Sequence, residues 1–161
     1  MVAVDCYGVV KGVAYFCVLT FSVTVFGVIE ADLMNRAQNT CAYFHTMSTC
    51  EWAEAVAVIS WVVVLFLMVL YALDFFERLP DFLGGVSLGW TDVASLVLLT
   101  LLWFIVAVVL SAEGVGLNGC SVAPQPSDCD KARAVIGLSW TNFGLLVIAS
   151  TLAMLAFRQK K

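Results

Sequence analysis

Four runs of mostly apolar residues, at about 12–29, 53–73, 93–112 and 134–157, dictate what this chain can become. Each is close to the roughly 20 residues that an α-helix needs to cross the hydrocarbon core of a bilayer. In hydrocarbon, every backbone N–H and C=O must be bonded within its own segment or within a closed barrel. The two-residue alternation of a barrel strand is missing, so helix is the state that remains. The first run outlasts the roughly 7–15-residue apolar core of a cleaved leader and ends in Ile29-Glu30-Ala31-Asp32, which makes it a span. In 161 residues, four spans leave little room for anything else, and 62% hydrophobic residues lie far outside the range of a soluble domain. The expected fold is an all-α membrane protein: a single domain over 1–161 built as a four-transmembrane-helix bundle. The net charge of −4 comes from acids lying mainly in loops and at span ends, and no run of Lys or Arg offers a surface for nucleic acid.

The loops carry the next constraint. The first, at about 30–51, holds Cys41 and Cys50; the second, at about 113–133, holds Cys120 and Cys129, and eight residues separate the cysteines of each pair. Four cysteines allow three pairings, and the equal spacing favours Cys41–Cys50 and Cys120–Cys129. A ring of this size stabilises by about 3 kcal/mol and gives a short loop a fixed shape without a core of its own. Catalytic dithiols usually present Cys-X-X-Cys, which this chain lacks, so the pairs read as staples. Disulfides persist in oxidising compartments, which puts both loops outside the cytosol. Basic residues agree: Lys11, Arg78, Arg158, Lys160 and Lys161 lie on the side of the termini, against Arg36, Lys131 and Arg133 on the side of the loops. That bias favours cytosolic termini.

Between the second and third runs, aromatic residues are interleaved with charges. Phe75, Phe76 and Trp90, together with Trp52, are the expected anchors at the membrane–water interface. Thr91-Asp92 is expected to cap the third helix. Cys6, near the cytosolic face, is placed where a juxtamembrane cysteine can take palmitate, and Cys17 reads as a small packing residue.

A charge at the membrane midplane would mark an ion or proton path, and the runs hold none. Glu54 and Asp92 are expected near helix ends, within reach of water and headgroups. The polar residues further in are Thr20, Ser22, Thr24, Ser60, Thr100, Ser139, Thr141, Asn142 and Ser150, all neutral. Ser60, Thr100, Ser139 and Asn142 are the candidates for packing helix against helix, at roughly 0.6 kcal/mol per hydrogen bond. Asn142 stands out, because a carboxamide inside a span seeks a partner on another helix or another subunit. Trp61, Trp103, Trp140, Tyr43 and Tyr71 are expected mostly as interfacial anchors or lipid-facing packing. His45 is the only histidine, and a metal site would need ligands that are not near it in sequence. Asn39-Thr40-Cys41 is not an Asn-X-Ser/Thr glycosylation acceptor. No phosphate-binding glycine loop or nucleophile elbow is present, so no catalytic residue, cofactor, metal or small-molecule substrate is expected.

Several stretches together resemble a known family. They are Cys41-Ala-Tyr-Phe with Cys50 closing the first loop; Asp92, Thr100 and Leu102-Trp103-Phe104 in the third run; and Asp130-Lys131-Ala132-Arg133-Ala134-Val135-Ile136 with Ser139 at the start of the fourth. In their order and spacing the chain resembles MARVEL-domain tetraspans, above all the synaptogyrin and synaptophysin (physin) group. The resemblance implies a four-helix bundle with cytosolic termini and disulfide-closed lumenal loops. It also implies a role in organising or trafficking membranes without catalysis, with lipids, other membrane-protein subunits or further copies as partners. Physins carry long cytosolic tails, whereas this chain stops four residues after Phe157, so functions resident in those tails are not expected. Claudins have a similar cysteine pair but a longer first loop with a Gly-Leu-Trp motif that is absent here. The alternatives are a small accessory subunit of a larger assembly, such as a proton pump or respiratory complex, and, more remotely, a four-helix thiol–disulfide oxidoreductase.

Overall fold

Each apolar run folds as part of a longer helix in a computed structural model that describes residues 6–35, 40–41, 44, 47–75, 88–114 and 126–159. The helices are α1 (Cys6–Val28), α2 (Met47–Phe75), α3 (Leu88–Glu113) and α4 (Pro126–Gln159). Among the described residues, four segments are long and apolar enough to cross a membrane: Val9–Leu33, Met47–Leu73, Gly89–Glu113 and Cys129–Leu155. The helices alternate in direction. α1 packs on α2 and α4, and α3 packs on α4 and, over fewer residues, on α2.

Spacing sets which face goes inward. Tyr15, Val18, Ser22, Val25 and Ile29 are buried at steps of three and four along α1 and the turn that follows it. The same steps recur as Leu96, Leu99, Trp103, Val106 and Leu110 in α3 and as Val135, Ser139, Asn142, Leu146 and Ala149 in α4. A helix turns once in about 3.6 residues, so such a series forms one stripe. The outward faces are also apolar, with Val13, Phe16, Val69, Leu98 and Ile148 exposed. Between helices surrounded by lipid the hydrophobic effect supplies little attraction, so close packing must hold them. Small buried residues such as Ala14, Ala53, Ala57 and Ala149 allow that approach.

The helices outlast the apolar runs, which shortens both loops. α1 passes into a π-helical turn at Ile29–Leu33, then into a hairpin of β1 (Met34–Asn35) and β2 (Thr40–Cys41), with Met34 opposite Cys41 and Asn35 opposite Thr40. α2 begins at Met47 and α4 at Pro126, a residue suited to a helix's first position because it has no N–H to leave unbonded. Cys50 and Cys129 therefore lie not in loops but each at the fourth residue of a helix. α3 begins at Leu88, so Asp92 is not a cap; it sits one turn inside the helix. Phe75 closes α2, while Phe76 falls outside the described residues.

Candidate functional site

Lys11 and Tyr15 are four residues apart on α1 and so share one face. Tyr71 comes from the last turns of α2 and Asp92 from the second turn of α3. Alternation of the helices brings all four side chains to the end of the bundle where α1 begins and α4 ends, its terminal end. There the Lys11 ammonium is ion-paired to Asp92 Oδ2 and donates to the Tyr71 hydroxyl. The Tyr15 hydroxyl donates to Asp92 Oδ1, and the Tyr71 hydroxyl donates to Asp92 Oδ2 at 3.0 Å. Lys11 Nζ also lies 4.1 Å from the centroid of the Tyr71 ring and 5.6 Å from that of Tyr15.

Asp92 is 2% exposed and Lys11 9%. Taking either charge out of water costs several kcal/mol, and only good geometry with further hydrogen bonds offsets that cost. The geometry supplies them: three donors converge on one carboxylate, and the ammonium has a carboxylate, a phenol oxygen and two ring faces. Three helices are tied at a single point as a result. Lys11 lies in the second turn of α1 and Asp92 in the second turn of α3.

This arrangement corrects four expectations. Asp92 is not within reach of water but enclosed by protein. Lys11 is not a flanking charge outside the first span but a buried residue within α1. Tyr71 is part of the cluster, and Trp103 is fully buried, its indole Nε1 donating to Ser60 Oγ at 2.8 Å. The signals that could have revealed the cluster were Tyr15 one turn after Lys11, a tyrosine at the end of the second run and an acid at the start of the third. In alternating helices, all of these fall at one membrane level.

In the middle of the bundle the neutral polar residues divide. Trp103–Ser60 joins α3 to α2, and Thr100–Ser150, at 3.2 Å, joins α3 to α4. Asn142 Nδ2 points to Ser22 Oγ at 3.5 Å across α4 and α1, and its buried Oδ1 has no partner among the described residues. Ser139 is buried and donates to the Val135 carbonyl of its own helix. Thr20, Thr24 and Thr141 are exposed and do the same one turn back.

At the opposite end, Cys41 and Cys50 form a disulfide that ties β2 to α2. Cys129 is buried and disulfide-bonded, and Cys120 lies outside the described residues. Cys17 is a free, half-buried thiol. Lys131 Nζ on α4 meets Asp32 Oδ1 in the π-helical turn at 2.7 Å, and Thr49 on α2 donates to the Glu113 carboxylate on α3. Trp52 and Trp90 are exposed near the starts of α2 and α3, at opposite ends of the bundle. Tyr43 and His45 fall outside the described residues, as do the side chains of Cys6 and Phe75. Among the described residues no group of three or more His, Cys, Asp and Glu could hold a metal.

Beside the charged cluster is a recess of about 200 Å³ between α1 and α2, lined by Lys11, Gly12, Tyr15, Met68 and Tyr71. Comparison with known families finds a match to the family described as MARVEL, a membrane-associating domain, over residues 8–152. That range includes every residue of the cluster and both pairs of loop cysteines. No curated protein matches the chain.

Proposed function

Because the chain belongs to the MARVEL family of membrane-associating domains, we propose that it is a non-enzymatic organiser of membranes. In this reading it acts in vesicle trafficking or membrane organisation through lateral contacts with lipids and neighbouring helices. One observation carries the proposal: the strongly polar side chains inside the spans bond to each other, while apolar side chains cover the outside. Among the described residues such a bundle bonds most of its inner polar groups internally, Asn142 Oδ1 apart, and offers an apolar outer face to the bilayer. Cys41-Ala-Tyr-Phe with Cys50, and the Asp130-to-Ile136 stretch, support placing it near the synaptogyrin and synaptophysin group.

The proposed orientation has cytosolic termini and lumenal or extracellular cysteines. With Lys11 withdrawn into the bundle, four basic residues remain on the terminal side (Arg78, Arg158, Lys160 and Lys161) against Arg36, Lys131 and Arg133. The charge bias narrows, so the argument leans mainly on the disulfide, which needs an oxidising compartment to persist.

Removing the protein from its cells should change vesicle size, abundance or cargo, and unchanged vesicles would sink the organiser reading. Native mass measurement after extraction in mild detergent should find a monomer or homo-oligomer. A stable complex with unrelated subunits would instead favour the accessory-subunit role. Cys41–Cys50 should exchange slowly with thiol-redox partners, whereas rapid exchange would favour the oxidoreductase.

A further inference from the structure

We draw no further inference here: the strongest candidate, the aromatic cluster of Phe104, Trp140 and Phe143 on the outer faces of α3 and α4, is an unpartnered apolar face, and nothing in the structure shows what covers it.

Discussion

The two ends of the bundle solve the same problem with opposite chemistry. At the terminal end, three helices are joined by one buried ion pair and two phenols, all non-covalent and shielded from water. At the cysteine end, a disulfide joins a hairpin to α2, and the ion pair Lys131–Asp32 stands in the open, its side chains 38% and 35% exposed. A covalent bond is indifferent to its dielectric surroundings. A buried ion pair depends on them entirely, because each charge is tolerable there only while the other is present. The cysteine end is therefore expected to lose stability in modest steps as its ties are cut. The terminal end should fail abruptly when one charge goes and recover when both go.

The largest effect follows from that asymmetry. Asp92→Ala leaves the Lys11 ammonium buried without its counter-charge and should cost about 3–5 kcal/mol. In detergent this would appear as a large fall in the apparent melting temperature, or as failure to accumulate. The double variant Lys11→Met with Asp92→Leu removes both charges and should recover most of the loss, since apolar replacements of buried ion pairs are often neutral or better. A double variant no more stable than Asp92→Ala would break the comparison, because the cluster would then be acting through shape rather than charge.

Cys50→Ser tests the other end and should cost about 3 kcal/mol, the loop-closure entropy of a ring this small. It should make the hairpin accessible to proteolysis while the terminal end stays folded, a pattern that limited digestion with mass mapping would resolve. Equal destabilisation of both ends would show that the disulfide holds the whole bundle rather than its own cap.

Between the ends, Trp103→Phe removes the indole donor to Ser60 and keeps most of the ring packing. A loss of about 0.6–1.7 kcal/mol is expected, the range for hydrogen bonds between membrane helices. That places a neutral buried tie below both the ion pair and the disulfide. A loss as large as that of Asp92→Ala would mean that charge is not what sets the terminal end apart.

Much of this contrast could be read from the chain alone, but unevenly. The helices were legible because an apolar run of span length in a bilayer has one backbone solution. The cysteine end was partly legible because equal spacing put both candidate rings within one loop's reach. Helix ends were not legible: polar turns such as 47–52 and 126–133 stay helical outside hydrocarbon, and hydropathy does not register them. The terminal cluster was the main loss. Lys11 and Asp92 are 81 residues apart, and Tyr15 and Asp92 are 77 apart. Taken singly, a Lys before a span is a topological charge and an Asp at a helix start is a cap. Only the packing of α1 beside α2, with α3 completing the corner, turns them into partners. Asn142 was legible as a residue in need of a bond, but the 3.5 Å approach to Ser22 and the bare Oδ1 depend on how closely α1 and α4 pack.

The smallest expected effect is also the most direct control on the comparison. Lys131→Ala removes the exposed pair with Asp32 and should cost about 0–1 kcal/mol, because water competes for both groups and the long lysine side chain loses freedom when it pairs. Raising the salt concentration from low to about 0.5 M should shrink even this, since the screening length falls below 10 Å. The buried Lys11–Asp92 pair excludes counter-ions, and its contribution should hardly change over the same range. Melting wild type, Lys131→Ala and Asp92→Ala at both salt concentrations therefore separates the two kinds of ion pair. If the Asp92→Ala deficit fell with salt as steeply as the Lys131→Ala deficit, the terminal cluster would be open to solvent. The contrast between the two ends would then reduce to one between a covalent and a non-covalent tie.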